Sequence, residues 1–295
     1  MKILALFPGQ GSQKVGMGRE LFEGWSRAKE LFSMADQALG FSLSSICFEG
    51  PAEKLTLTEI AQPAILTVST ICFEKARADD PSLEIAAAAG HSLGEYSALV
   101  AAGALRFEDA VKLVNHRGKF MQEAVPVGTG KMVAVLGQEV DAIEKVLSTV
   151  QSGVAQIANV NAPGQVVIAG SKEGVDEFVT KMTGAKIMEL NVSAPFHCSL
   201  MKPAEAKLRE KLRETEIKTA RFPVYVNFSG KPLTSPEDIR ESLAQQVCGR
   251  VRWVECMENS ISDCKPEAAY EFGNGSVLSG LLKRINPQLT RVNVS

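Results

Sequence analysis

Short apolar runs alternate along the chain with segments in which apolar side chains return every three or four positions. That alternation predicts an α/β architecture with a largely parallel sheet. Residues 3–7 and 85–89 read as buried strands. After the first strand a glycine-rich turn leads into residues 20–39, where Leu21, Trp25, Ala28 and Phe32 fall on one stripe and predict a single helix. A second helix is expected over 61–78 and a third over 107–123, the latter after the stop signal at Gly103.

From about Lys131 the units shorten. The pattern predicts strand 132–136, helix 141–150, strand 155–160, a turn at Asn161-Ala162-Pro163-Gly164, strand 165–169, helix 172–183 and strand 187–190. The order β-α-β-β-α-β is that of a ferredoxin-like unit. Segments 202–215, 223–228, 268–272, 277–285 and 290–294 then return to the larger alternation. The expected organisation is a large α/β-hydrolase-like domain with a parallel sheet, residues 1–124 and 196–295. It is interrupted by a small ferredoxin-like subdomain, 125–195.

Composition narrows the class. With 295 residues, 45% of them hydrophobic, the chain can bury a sizeable core. A net charge of −2 with mixed signs offers no broad basic field for nucleic acid and no polybasic run for a membrane surface. The apolar start Met1 to Phe7 meets Pro8-Gly9 too early for a signal segment or a spanning helix, so a cytoplasmic protein is expected. The six cysteines are scattered, with no C-x-x-C pair and no histidine at metal-ligand spacing, which reads as free thiols and no metal. Only His91, His116 and His197 are available as general bases.

Gly90-His91-Ser92-Leu93-Gly94 follows an apolar strand and precedes good helix formers, Glu95 to Val100. That context predicts a strand-to-helix elbow, which would hold Ser92 on a strained turn above the sheet as a nucleophile; a plain tight turn is the other reading. A serine hydroxyl needs a base at neutral pH. His91, adjacent on the elbow, should point away and serve the scaffold, and His116 lies in a charged helical stretch. His197, in the loop Ser193 to Cys198, remains by elimination, against the alternative of a packed or surface loop histidine. Cys198 is a weaker nucleophile candidate, because adjacent loop side chains rarely converge. The Gly9-Gln10-Gly11 turn lacks the third glycine of a dinucleotide fingerprint and the Gly-Lys-Ser/Thr of a P-loop. Its backbone N–H groups suit half of an oxyanion hole, with the N–H after the nucleophile as the other half.

Together, Gly9-Gln10-Gly11-Ser12-Gln13, Gly90-His91-Ser92-Leu93-Gly94-Glu95-Tyr96-Ser97 and Phe196-His197-Cys198-Ser199-Leu200-Met201 resemble the malonyl-CoA:acyl carrier protein transacylases. The resemblance runs over the whole chain and takes in Gln165 to Gly170 and Glu271-Phe272-Gly273. It implies that Ser92 carries the acyl group, that His197 is its base, and that backbone N–H groups of Gln10 and Leu93 hold the oxyanion. Arg117 stands where the family binds the free carboxylate of the malonyl group. Gln246 stands where a backbone carbonyl orients the histidine in place of an aspartate. Relatives often carry a proline where Arg250 precedes Val251-Arg252-Trp253. Phe196 resembles the malonyl-preferring pattern.

The resemblance further implies ping-pong transfer from malonyl-CoA to the phosphopantetheine thiol of an acyl carrier protein, supplying fatty acid synthesis. It implies a monomer without a resident cofactor and a carrier with an acidic docking helix. The rivals are a trans-acting acyltransferase of a polyketide pathway, a thioester or ester hydrolase of α/β-hydrolase type, and a silent scaffold subunit that keeps the fold.

Overall fold

The computed structural model describes residues 1–126 and 128–295. Its strands are β1 (Lys2–Phe7), β2 (Glu84–Gly90), β3 (Gly130–Leu136), β4 (Ala155–Ala162), β5 (Gln165–Ser171), β6 (Lys186–Glu189), β7 (Val224–Tyr225), β8 (Pro232–Leu233), β9 (Ala268–Phe272) and β10 (Thr290–Val294). Six form one sheet in the order β10-β9-β1-β2-β7-β8, parallel except for the antiparallel pairing of β8 with β7. The period of two along β1 explains why it is central and apolar throughout. Ile3, Ala5 and Phe7 enter one core with Ile65, Val68 and Leu99. Leu4 and Leu6 enter another with Trp253, Leu278 and Leu282. The sheet therefore carries helices on both faces.

The remaining strands form an antiparallel sheet ordered β4-β5-β3-β6, the arrangement expected of a β-α-β-β-α-β unit. Its own core gathers Val133, Val135, Ile143, Ile157, Ile168 and Phe178. The small sheet is tied to the segment before helix Trp253–Cys264, where Val251 N–H donates to Ala158 O at 2.7 Å and Val160 N–H to Val251 O at 2.9 Å.

Several helices depart from the sequence expectation. The stripe over 20–39 is two helices, Arg19–Gly24 and Ser26–Leu39, separated at Trp25, whose backbone is extended at φ −140° and ψ 120°. Gly24 weakens the first helix at its end, and the apolar stripe survives the break because Ala28 and Phe32 still reach the core. The helix expected over 61–78 is Thr58–Asp79, with Pro63 inside it. Pro63 has no N–H for the Glu59 carbonyl, which instead accepts from Asn115 Nδ2 at 2.7 Å. The helix break is thus converted into a tether between Thr58–Asp79 and Phe107–Glu123. Gly118 deepens that contact: a Cβ there would lie 2.6 Å from Thr58 O. Of the segment 223–228 only Val224–Tyr225 is strand, because the chain turns at Val226, whose carbonyl accepts from Gly230 N–H at 2.9 Å. Helices Leu43–Glu49, Ala52–Thr56, Pro236–Gln246 and Trp253–Cys264 fall in stretches to which the sequence reading assigned no element.

Among the described residues no single helix is long and apolar enough to cross a membrane; the pair Ser26–Leu39 and Leu43–Glu49 meets that test only together, across a bend of 119°. Its apolar residues, including Leu31, Phe32 and Ile46, belong to the main core.

Parallel pairing of β1 with β2 sets Phe7 opposite Gly90, so the turns that leave both strands lie side by side. Glycine makes this possible. A Cβ on Gly90 would sit 1.9 Å from the Gly94 carbonyl, one on Gly94 2.0 Å from Phe7 O, and one on Gly9 2.5 Å from His91 O. All three collisions are with backbone, which cannot swing aside as a side chain can. Helix propensity alone would make Gly94→Ala stabilising by about 1 kcal/mol, whereas overpacking against fixed backbone costs about 1–3 kcal/mol or more. We expect the second effect to win, with a lower urea midpoint for Gly94→Ala; an unchanged or raised midpoint would contradict the close approach.

Candidate active site

Ser92 sits between β2 and the helix Gly94–Ala101 with φ 51°, a left-handed conformation rare for a non-glycine residue. The turn lifts Oγ out of the sheet, where it lies 2.7 Å from His197 Nε2. His197 is itself left-handed, φ 60°, at the end of the loop that leaves the small sheet. Its Nδ1 is 2.9 Å from Gln246 O. A carbonyl oxygen can only accept, so Nδ1 carries the proton and Nε2 presents its lone pair to the serine hydroxyl. Burial, reinforced by the Arg117 charge, pushes His197 down to about 3.

Arg117 comes from the middle of Phe107–Glu123 and is 1% exposed. Its Nη1 donates to Gln62 Oε1 at 2.8 Å, and its Nη2 donates to Gln246 Oε1 at 2.9 Å and to Ser92 Oγ at 3.0 Å. The guanidinium also lies 5.5 Å from the centre of the Tyr96 ring. All of these partners are neutral, and among the described residues Arg117 forms no salt bridge and its Nε has no hydrogen-bond partner. Burial accordingly lowers its pKa. The carboxyl whose charge bears on it is that of Glu95, fully buried on the first turn after Ser92 and raised to about 7 chiefly by desolvation.

Gln10 lies in the turn after β1, and Leu93 follows Ser92. Among the described residues neither backbone N–H donates to a protein acceptor, so both remain free for an oxygen at the site. The Gln10 side chain is steadied by Thr58 Oγ1 at 3.4 Å. The turn is fastened by Ser12 Oγ to Gly9 O at 2.9 Å and by Asn274 Nδ2 to Ser12 O at 2.6 Å. Gln10, Ser92, Leu93, Arg117 and His197 line one cavity of about 200 Å³, walled on its apolar side by Met121, Met132 and Phe196.

The sequence-predicted residues Ser92, His197, Gln10, Leu93, Arg117 and Gln246 are therefore brought together. His91 is held away from the hydroxyl, with Nε2 2.8 Å from Asn161 Oδ1 and its ring against Trp253. His116 stacks on Phe120, outside the cavity. Cys198 donates Sγ–H to Pro195 O at 3.1 Å, and burial raises its thiol to about 11, far from a thiolate. Arg250 pairs with Glu144 Oε1 at 2.7 Å and leaves the Gln246 geometry intact. Sequence reasoning missed Gln62, Glu95 and Asn227. A signal existed for the first two: Gln62 is a polar residue in an apolar helix, and Glu95 follows the elbow within a small apolar segment.

A hydroxyl with a base on one side, free N–H donors beside it and a cation within reach is equipped for acyl transfer. The comparison with known proteins agrees at the level of class, since the acyl transferase domain family matches residues 5–282. The chain is 48% identical to the malonyl CoA-acyl carrier protein transacylase of Bacillus subtilis over 299 aligned positions, covering 100% of this chain and 93% of the relative. The acyl carrier protein S-malonyltransferase structure from Vibrio cholerae superposes with a TM-score of 0.96 at 42% identity, covering 100% of this chain and 97% of that one. A malonyl-transacylase solved with a type II PKS acyl-carrier protein gives 0.95 at 40% identity, covering 100% and 96%. The chain belongs to the malonyl CoA-acyl carrier protein transacylase family.

The low His197 pKa has a sign that can be tested. The folded imidazole stays neutral while the unfolded one binds a proton near its ordinary value of about 6.5, so this group's stabilisation is complete above that pH. It is lost progressively as pH falls towards about 3. Replacing it by a neutral side chain, His197→Gln, should flatten the dependence of unfolding free energy on pH between 6 and 4 by up to about 1.4 kcal/mol per unit. Denaturant titrations across that range check this. Equal slopes for both proteins would contradict a neutral buried His197.

Proposed function

We propose that the chain moves the malonyl group of malonyl-CoA to the phosphopantetheine thiol of an acyl carrier protein through a malonyl-Ser92 intermediate, supplying fatty acid synthesis. The observation that carries the reading is the buried Arg117 guanidinium, 3.0 Å from Ser92 Oγ and, among the described residues, hydrogen-bonded to no carboxylate. Malonyl places a carboxylate two carbons from the reacting carbonyl, within reach of a group that already touches the nucleophile. Acetyl has no such group.

In the first half-reaction His197 Nε2 takes the proton of Ser92 as Oγ bonds to the thioester carbon. The oxyanion is held by the N–H groups of Gln10 and Leu93. Collapse breaks the C–S bond, and CoA leaves with the proton from His197. In the second, the carrier thiol gives its proton to His197, its sulfur attacks the ester carbon, and Ser92 Oγ departs and regains that proton. Gln246 serves twice: its carbonyl fixes the tautomer of His197, and its side-chain oxygen braces Arg117. Arg117, by donating to Oγ, also favours the developing alkoxide.

The same reading takes 125–195 as a subdomain inserted into a catalytic domain of 1–124 and 196–295, and it is supported by an antiparallel sheet built wholly from strands within Gly130–Glu189. It takes the protein as a cytoplasmic monomer whose partners are CoA thioesters and a carrier protein. A polyketide role is the second reading, favoured by the likeness to the transacylase solved with a type II PKS carrier; comparing transfer rates to the two kinds of carrier separates them.

With malonyl-CoA and holo carrier protein, the expected dominant product is malonyl-carrier protein; carrier-independent release of malonate would overturn the transferase reading in favour of a hydrolase. Arg117→Ala should lower malonyl transfer by about two orders of magnitude, as expected for loss of a charge-assisted buried pair. Acetyl transfer should fall far less. Equal losses for both acyl groups would assign Arg117 a structural role.

A further inference from the structure

We propose that Asn227 is the positioning residue that holds Ser92 in its reactive conformation, an inference that rests on Ser92 being the acylated residue. The neighbouring strand β7 pairs with β2 only through Ala88 and Ala89, then turns away at Val226. The last carbonyl of β2 and the N–H of the elbow are thereby left without a strand partner. The Asn227 side-chain amide takes the place of the missing strand. Its Oδ1 accepts from Ser92 N–H at 2.6 Å, and its Nδ2 donates to Gly90 O at 2.8 Å, so one planar group spans the residues on either side of His91.

The amide is itself fixed. Asn227 is fully buried, its backbone N–H donates to Glu95 Oε2 at 2.7 Å, and its carbonyl accepts from Arg252 N–H at 3.0 Å. Every polar atom of the residue is used. Because Glu95 lies on the first turn of the helix after Ser92, the clamp grips the strand end, the elbow and the helix start together. A left-handed serine is strained and persists only where its surroundings over-determine it. Asn227 makes no hydrogen bond to Oγ and does not itself line the cavity; it acts through the Ser92 backbone, keeping Oγ at 2.7 Å from His197 and Leu93 N–H turned to the oxyanion.

The test is single-turnover malonylation of the full chain by malonyl-CoA, followed by quenched intact-mass measurement, which gives both the rate and the final fraction acylated. For Asn227→Ala the rate should fall on the order of 10²-fold, the loss typical of a misplaced reacting atom. The final fraction and the half-saturating malonyl-CoA concentration should remain those of wild type. A wild-type rate overturns the proposal. So does a smaller reactive fraction that acylates at the wild-type rate, the signature of a merely structural residue. Asn227→Asp supplies a second arm that keeps the side chain's size: protonated, it can still donate to Gly90 O, whereas ionised it cannot. Its rate relative to wild type should therefore fall as pH rises, and a flat ratio of one overturns the proposal even if Asn227→Ala does not fold. Absence of any adduct on wild type would instead indict the malonyl-serine reading itself.

Discussion

The site is organised around a buried guanidinium that, among the described residues, no salt bridge neutralises. An ion taken out of water and left unpaired costs several kcal/mol. Arg117 is tolerated because Gln62, Gln246 and Ser92 each offer it a neutral oxygen and Tyr96 its ring. Glu95 supplies only a partial counter-charge, since burial holds its carboxyl near 7 and Asn227 N–H occupies one of its oxygens. In the proposed reading a substrate carboxylate would supply the missing counter-charge, and selectivity for malonyl would follow from it.

Much of the surrounding architecture serves to place this charge. Gly118 and the Asn115–Glu59 tether pull the Arg117 helix against Thr58–Asp79, which brings Gln62 to the guanidinium. Burial, reinforced by the same charge, depresses His197 and keeps it neutral. A carboxylate bound on Arg117 would cancel part of that field and strengthen the base when substrate is present. Under the proposed function, binding and proton transfer would thereby be linked through one side chain, with Gln246 touching both Arg117 and His197.

The fold was legible wherever a local pattern matched its final environment. Helix Phe107–Glu123 has the bounds that periodicity predicts, and the segments marked off at 268–272, 277–285 and 290–294 are a strand, a helix and a strand with those bounds. The break at Trp25 was hidden because the apolar stripe continues through it. Helix Pro236–Gln246 carried an unread start signal, a proline in its first turn followed by Glu237 and Asp238. At the site, Ser92 and His197 could be singled out from an elbow and a scarcity of histidines. Arg117 could not: on local evidence it belongs to a charged helical face, and only the family resemblance gave it a partner. Asn227 escaped because its role depends on a strand ending early, a tertiary event with no periodicity of its own.

The central claim is that Arg117 is held for a carboxylate. Calorimetric titration of Ser92→Ala with malonyl-CoA and with acetyl-CoA tests it without turnover. A hydrogen-bonded charge pair worth about 1.5–3 kcal/mol predicts malonyl-CoA binding tighter by roughly 10- to 100-fold. Equal affinities for the two thioesters would contradict the account.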